Sequence, residues 1–270
     1  RKITVTEMQE RMRDHFEDTP FDMHGDIGAG PNHVPYRWRP MDYTVDGKTY
    51  THERAIATQQ TGWSFVAQAR PDLPDPVGGL IWFGTDDANT CVYMPFYCSI
   101  TEIPLEVRHG NGDMNTYSDT SNFWINSRVA NQAYNRYDLM IPDIRKVQGE
   151  LESSYQTLIP KTDKELTALY EAGNTAELVR RANADAARIS REATDRYRAL
   201  DRHLLVRFMD GNMKKVDDNG KFIYSEYGMP VYPDFPGYNQ EYFENIVKST
   251  GDHFLDKGKD IAPIKSGMVK

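Results

Sequence analysis

Alternating hydrophobic and polar residues predict an antiparallel sheet in the first half of the chain. Between positions 61 and 69, the residues Trp63, Phe65, Ala67 and Ala69 alternate with Gly62, Ser64, Val66 and Gln68. This period of two is typical of a strand. Segments 80–83 and 90–100 then predict a hairpin around the polar turn 85–89. Because both segments carry apolar residues on both faces in places, we expect a sheet that is covered on both sides.

A smaller hairpin and a glycine-rich loop precede this sheet. Segment 43–50 has the sequence YTVDGKTY, in which Asp46-Gly47 is a favoured two-residue hairpin turn. Segment 21–43 combines glycine, proline and aromatic residues without any periodicity. We interpret it as an ordered loop.

Helical periodicity dominates the rest of the chain. Thr4 and Glu7 form a capping-box pattern for a helix over 4–16. Further helices are predicted over 120–137 and over 142–155, with Pro142 at a first helical position. Thr162 and Glu165 predict the cap of a short helix that ends near Gly173. A final helix is predicted around 241–249, after an Asn219-Gly220 hairpin.

A long amphipathic helix is predicted from Asn174 to Gly211. Its apolar residues recur every three or four positions, so one face packs and the opposite face meets water. The apolar positions are Leu178, Ala182, Ala186, Ile189, Ala193, Tyr197, Leu200 and Leu204.

These elements predict an α+β fold in three parts of one domain. Residues 1–118 form a sheet-rich part that includes the loop 21–43. Residues 119–212 form a helical layer with the long helix, and residues 213–270 form a C-terminal hairpin, loops and a helix. The cysteines, Cys91 and Cys98, lie on one predicted strand and point to opposite faces. We expect both to be small buried hydrophobic residues.

Charge and composition exclude several classes of function. The net charge of −8 argues against binding to nucleic acid, which usually requires a basic face. No apolar run is long enough for a transmembrane helix, so no membrane partner is predicted. The seven histidines show no metal-ligand spacing, and the glycines between Gly25 and Gly30 do not match a dinucleotide fingerprint. No cofactor and no metal are predicted, and the spacing of residues alone indicates only an acidic α+β protein.

Several ordered blocks of the sequence carry a more specific signal. They are segment 25–40 (GDIGAGPNHVPYRWRP), segment 53–104, GNGDM at 110–114, segment 123–148 and LLVRFMDGN at 204–212. In this order they resemble the bacterial dipeptidases related to the secernins, a family of N-terminal-nucleophile (Ntn) hydrolases. The resemblance implies an αββα sandwich of two antiparallel sheets between helical layers, which this chain contains only in part.

The resemblance also implies a mechanism. In this family a cysteine at the mature amino terminus attacks the carbonyl carbon of a dipeptide, and its own α-amine acts as the base. The present chain begins at Arg1, so we expect the nucleophile to lie upstream and this chain alone to be inactive. The implied partners are a dipeptide substrate and an upstream N-terminal segment. Exposed sheet edges also leave a homo-oligomer possible.

Six residues are candidates for the site that the resemblance implies. The catalytic candidates are Arg54, which related amidases would place at the start of a core strand, and Asn89 in the turn. The substrate-binding candidates are His24, Asp26, Asn32 and Asp87. For Arg54, an ion pair with Glu53 or Asp86 is the structural alternative.

Two other functions remain open at this stage. A secernin-like protein could keep the fold for binding without catalysis, and the helix over 174–210 could form a binding module. The sequence does not fix the compartment.

Overall fold

The computed structural model describes residues 2–256 and shows a mixed α+β protein. The chain divides into two compact units, Arg1–Gly237 and Tyr238–Lys270. The first unit contains both sheets and the long helices. The three-part division within one domain stays a prediction.

Two antiparallel sheets lie in the first unit. The smaller sheet pairs β1 (Asp42–Val45) with β2 (Lys48–Thr51), and Asp46 and Gly47 form its turn with positive φ angles of 48° and 74°. The larger sheet has the order β3-β4-β5, formed by β3 (Trp63–Ala69), β4 (Gly79–Thr85) and β5 (Met94–Tyr97). A one-turn helix, α2 (Asp75–Gly78), connects β3 and β4. The predicted hairpins over 43–50 and around the turn 85–89 are confirmed, although β5 is shorter than the segment 90–100. At the third, predicted at Asn219-Gly220, an isolated antiparallel bridge joins Val216 and Phe222.

Four further helices belong to this unit. They are α1 (Val5–Met12), α3 (Asn122–Ala133), α4 (Tyr137–Glu171) and α5 (Thr175–Phe208). The predicted capping box of α1 is present, since the Glu7 amide donates to Thr4 Oγ1 over 3.1 Å and the Thr4 amide donates to Glu7 Oε2 over 2.9 Å. Asn174 caps α5 through a hydrogen bond from the Glu177 amide.

Helix α4 differs from its prediction. It runs for 35 residues through Pro142 and Pro160, so the expected start at Pro142 and the expected cap at Thr162 are both wrong. Thr162 is instead buried inside the helix. Each proline removes one helical hydrogen bond. Side chains buried on both sides of Pro160, including Tyr155, Ile159 and Leu166, hold the helix together in spite of that loss.

The apolar stripe of α5 is confirmed. All eight of its predicted positions, from Leu178 to Leu204, are buried in the core. Tyr197 in the middle of the stripe also donates a hydrogen bond from its hydroxyl to the carbonyl oxygen of Thr90 over 2.7 Å. The helix itself ends at Phe208, and a 3-10 helix from Met209 to Gly211 follows it.

The two faces of the larger sheet differ in what covers them. One face carries Val66, Trp82 and Tyr97, which are buried, and the Tyr97 hydroxyl donates to Asp163 Oδ1 of α4 over 2.7 Å. The opposite face carries Trp63 and Phe65, whose residues are 61% and 46% exposed. On the same side, Met94 and Phe96 of β5 are buried, so within residues 2–256 this side is open along β3, and the expected second covering layer stays a prediction. We call the second side the open face.

Two further elements complete the description. Helix α6 (Gln240–Thr250), followed by a 3-10 helix over Gly251–Phe254, lies in the second unit and confirms the predicted last helix. Across residues 2–256, no helix combines the length and the apolar character that crossing a membrane requires.

Cys91 is buried as expected, but Cys98 is exposed because it lies just beyond the end of β5.

A buried ion pair joins the end of α1 to α4. Arg13, the C-cap residue of α1, donates from Nη2 to Glu152 Oε1 of α4 over 2.5 Å. The same carboxylate oxygen accepts the backbone amide of Tyr93 over 2.9 Å. Both side chains are buried, and Arg13 Nη1 forms a second ion pair over 2.7 Å with Glu10, whose side chain is exposed, so Glu152 is the buried counter-charge of Arg13.

Replacing Glu152 by alanine is expected to destabilise the fold by about 3–5 kcal/mol, because buried Arg13 then keeps only its ion pair with the exposed Glu10 and the Tyr93 amide loses its acceptor. Urea denaturation measures this loss. Glu150→Ala is the matched control, since Glu150 pairs with Arg196 at the surface. We expect it to change the free energy of unfolding by less than about 1 kcal/mol. Equal losses in both variants would contradict a structural role for the buried pair.

Candidate active site

A cleft of about 700 Å³ opens at one end of the open face. This volume lies in the range that small-molecule sites occupy. Its aromatic walls are Trp63, Phe83, Phe123 and Trp124. The charged or titratable residues that line it are Glu106, Arg108, His109 and Asp113. The cleft thus combines apolar surface with a few polar groups, as binding sites commonly do.

One rim of the cleft is the loop between the 3-10 helix Leu105–Val107 and α3. The indole nitrogen of Trp124 donates to the carbonyl oxygens of Asp113 and Thr116, over 3.1 Å and 2.9 Å. Gly112 has a φ of +82°, and a Cβ atom there would lie 2.9 Å from the Thr116 oxygen. The loop therefore needs glycine at position 112 and is held in place by the indole.

A buried hydrogen-bond network lies beside the cleft. Thr85, at the end of β4, donates from Oγ1 to Asn122 Oδ1 over 2.7 Å and accepts from Asn126 Nδ2 over 2.9 Å. Asn122 Nδ2 donates onward to Thr194 Oγ1 of α5 over 2.9 Å. Asn126 Oδ1 has no hydrogen-bond partner within residues 2–256. Such a network fixes β4, α3 and α5 relative to one another.

Asp86 follows Thr85 and is buried with a positive φ of 66°. Burial raises the pKa of Asp86 to about 8. The negative charge of Asp87 acts in the same direction, whereas hydrogen bonds from the Asp87 amide and the Ser127 side chain oppose it. At neutral pH the carboxyl is therefore largely protonated and can donate a hydrogen bond or a proton.

The next residues of the turn form a second polar group, the Asp87–Asn89 cluster. Asp87 accepts hydrogen bonds from the Asn89 amide over 3.1 Å and from the hydroxyl of Tyr134. Asn89 Oδ1 accepts from the Tyr137 hydroxyl over 3.0 Å, and its Nδ2 donates to the carbonyl oxygen of Arg13 over 3.0 Å. These side chains are all buried, and their polar groups form hydrogen bonds inside the protein.

Two histidines lie next to this cluster. The His15 ring is buried, and its Nδ1 lies 3.3 Å from Glu17 Oε1 and 3.4 Å from Asn89 Nδ2. Burial acts to raise the pKa of Glu17, but hydrogen bonds from the His15 ring and from backbone amides outweigh it and lower the pKa to about 2. The His24 ring lies 6.2 Å from that of His15.

Comparison with known proteins identifies the family. The model of peptidase family C69 matches residues 1–150, which include the cleft and the Asp87–Asn89 cluster. The chain belongs to peptidase family C69. The family resemblance stated from the sequence is thereby confirmed.

Curated relatives of this C69 chain carry dipeptidase names. Probable dipeptidase B of Lactococcus lactis subsp. lactis (strain IL1403) is 25% identical over 171 residues, which cover 58% of this chain and 31% of that protein. Dipeptidase A of Lactobacillus helveticus is 25% identical over 158 residues, with coverages of 58% and 27%. The dipeptidase of Bifidobacterium longum (strain NCC 2705) is 24% identical over 184 residues, with coverages of 65% and 30%. The chain spans about a third of the length of these relatives.

The structure brings some of the predicted site residues together. Asn89 and Asp87 share the buried cluster, and His24 lies beside it, where its Nδ1 is 2.6 Å from Asp22 Oδ1. Asp26 instead accepts a 2.5 Å hydrogen bond from Arg37, and Asn32 is buried in a 3-10 helix over Ile27–Asn32. The roles of all five residues in substrate binding or catalysis stay predictions.

Arg54 lies apart from these groups. It is exposed in the irregular segment between β2 and β3, nine positions before β3 begins, so its expected place at the start of a strand is wrong. Within residues 2–256 its side chain makes no hydrogen bond or ion pair, which also removes the alternative pairing with Glu53 or Asp86. Its catalytic role stays a prediction.

The residues of the buried network beside the cleft were not among the sequence candidates. Thr85, Asn122 and Asn126 meet through contacts between β4 and α3 that are 37 to 41 positions apart. A partial signal was available, because both asparagines lie within a predicted helix at i and i+4 and therefore share a face. Across residues 2–256, no group of three or more His, Cys, Asp or Glu side chains could hold a metal ion.

The raised pKa of Asp86 predicts how stability changes with pH. The folded state retains a proton that the unfolded chain releases above pH 4, so stability falls as pH rises from about 4 to about 8. For a single group, this fall is at most about 1.4 kcal/mol per pH unit. Asp86→Asn is expected to remove this contribution, and asparagine also tolerates the positive φ.

Urea denaturation between pH 5 and pH 8 measures the effect. The matched control is Asp72→Asn, at an exposed aspartate in the β3–β4 connection, which should keep the wild-type pH dependence. Parallel pH curves for wild type and Asp86→Asn would show that Asp86 does not carry the proton.

Proposed function

We propose that this chain is the C-terminal portion of a cysteine dipeptidase that hydrolyses the peptide bond of dipeptides. The observation that carries the proposal is the aromatic and charged cleft within the segment that matches family C69. The dipeptidase names of the relatives support this choice of substrate. The proposed nucleophile is an N-terminal cysteine that the present sequence does not contain.

The proposed hydrolysis of the peptide bond passes through a thioester. The cysteine thiolate attacks the substrate carbonyl carbon, and the α-amine of the same residue takes up the thiol proton. That proton passes to the leaving amine when the carbon–nitrogen bond breaks, and water then hydrolyses the thioester. The protonated carboxyl of Asp86 is suited to stabilise negative charge near the cleft, because a neutral acid can donate a hydrogen bond there.

The earlier candidates take more limited roles. Asn89 Nδ2 already donates a hydrogen bond, and Asn89 Oδ1 already accepts one. We therefore propose that Asn89 positions the turn and does not contact substrate. Arg54 carries an exposed guanidinium without a partner in residues 2–256, which leaves it available for a carboxylate. His24, Asp26, Asn32 and Asp87 remain proposed members or supports of the substrate rim.

The proposed fold is an αββα sandwich whose second sheet covers the open face. Trp63 and Phe65 stack at 5.9 Å between ring centroids, and Trp63 lies 6.3 Å from Phe83. A contiguous aromatic surface of this kind usually marks an interaction surface. We propose that an upstream segment of the same protein supplies the covering strands.

The first test compares dipeptide hydrolysis by the complete gene product with hydrolysis by the 270-residue chain. We expect turnover by the complete form only, since only that form carries the proposed nucleophile. Activity of the 270-residue chain that is abolished by Cys91→Ala or Cys98→Ala would refute this assignment. A folded and processed complete protein without activity would favour a secernin-like binding protein.

A second test addresses the covering of the open face. Phe65→Ser is expected to destabilise the complete protein by about 3–5 kcal/mol, as for other buried phenylalanines, and the 270-residue chain by about 1 kcal/mol or less. Tyr50→Ser in β2 is the control, because Tyr50 is exposed outside this sheet and should affect both forms alike. Urea denaturation of each form gives these values. Equal losses for Phe65→Ser in both forms would argue against a covering sheet.

A further inference from the structure

The cleft carries charges of both signs, which matches the chemistry of a free dipeptide. A dipeptide at neutral pH has an α-ammonium group at one end and an α-carboxylate at the other. Among the cleft residues, Glu106 is a potential partner for the ammonium group and Arg108 for the carboxylate. Both lie in one short stretch of chain, where the 3-10 helix Leu105–Val107 meets the rim loop.

Glu106 is buried but lacks a close partner. The residue is 8% exposed, and within residues 2–256 its carboxylate accepts no hydrogen bond. Its ion pair is with Arg191, whose Nε lies 3.8 Å away on a side chain that is 72% exposed. A buried carboxylate with such weak compensation is costly. A cationic group of a ligand in the cleft would offset that cost.

Arg108 is held in place by the backbone. Its Nε and Nη2 both donate to the carbonyl oxygen of Ile103, over 3.0 Å and 2.6 Å. Nη1 makes no hydrogen bond within the described residues. The guanidinium is therefore fixed while a donor remains available, which favours binding of a carboxylate at a defined position.

We propose that Glu106 binds the α-ammonium group of the substrate and that Arg108 binds its α-carboxylate. This inference rests on the proposed dipeptidase function. Two charged contacts, one for each terminus, would also select the length of the substrate, because the termini of a tripeptide are farther apart. Glu106 and Arg108 thus make the cleft, whose walls are mainly aromatic, specific for dipeptides.

The test uses the complete protein with alanyl-alanine, N-acetyl-alanyl-alanine and alanyl-alanine amide as substrates. Glu106→Gln is expected to raise KM for alanyl-alanine about ten- to hundredfold, since a charge-assisted hydrogen bond is lost, with little change in kcat. The same variant should leave KM for the N-acetyl compound unchanged. Arg108→Gln should raise KM for alanyl-alanine similarly but leave KM for the amide unchanged.

Two control variants separate substrate binding from a structural role. Glu102→Gln changes an exposed glutamate of the same segment and should behave as wild type. Arg191→Gln removes the ion-pair partner of Glu106 and should change KM less than twofold. Thermal melting of each variant checks that it is folded.

Each outcome decides the inference. It is overturned by an unchanged KM for alanyl-alanine in folded Glu106→Gln or Arg108→Gln. It is also overturned if Glu106→Gln affects the N-acetyl compound equally, if Arg108→Gln affects the amide equally, or if Arg191→Gln reproduces the Glu106→Gln effect. If the wild-type complete protein hydrolyses no dipeptide, the proposed function fails, and calorimetric binding of alanyl-alanine to the 270-residue chain then decides. Binding that Glu106→Gln weakens at least tenfold supports the inference, and absent or unaffected binding overturns it.

Discussion

The hydrogen bonds of the buried Asp87–Asn89 cluster determine how the sheet meets the helices. The Asp87 carboxylate accepts from Tyr134, which follows α3, while Asn89 accepts from Tyr137 at the start of α4. The carbonyl oxygen of Asn89 also accepts from Arg145 of α4 over 2.8 Å. The single turn 85–89 is therefore tied to two helices. Loss of any partner would leave a polar group buried and unsatisfied, which costs more than the hydrogen bond itself contributes.

This constraint extends directly to the cleft. Thr85 and Asp86 precede Asp87, so the position of the turn determines where they lie. Asp86 and Asp87 are adjacent buried carboxyls with different surroundings, because Asp87 accepts several hydrogen bonds while burial keeps Asp86 protonated. The turn that ties the sheet to the helices therefore also places the protonated Asp86 directly after Thr85, which lines the cleft.

Local pattern was sufficient for part of this structure. The stripe of α5, its cap at Asn174 and the strands β3 and β4 follow from periodicity and capping chemistry within each segment. Pattern failed at α4, where burial around Pro160 overrides the local preference against proline. The arrangement of the candidate site was even harder to predict from the sequence. His15 meets Asn89 from 74 positions away, and no spacing rule connects residues that only tertiary packing brings together.

The open face shows a different limit of prediction from sequence patterns. An apolar pattern records that a face is suited to burial, but it does not state which segment buries it. Trp63 and Phe83 belong both to this face and to the wall of the cleft. A sheet that covered the face would therefore also exclude water from one side of the cleft. Charge interactions strengthen as the local dielectric falls, so the charges of Glu106 and Arg108 would act more strongly on a ligand there. Folding of the covering segment and the chemistry of the cleft would then be one coupled event.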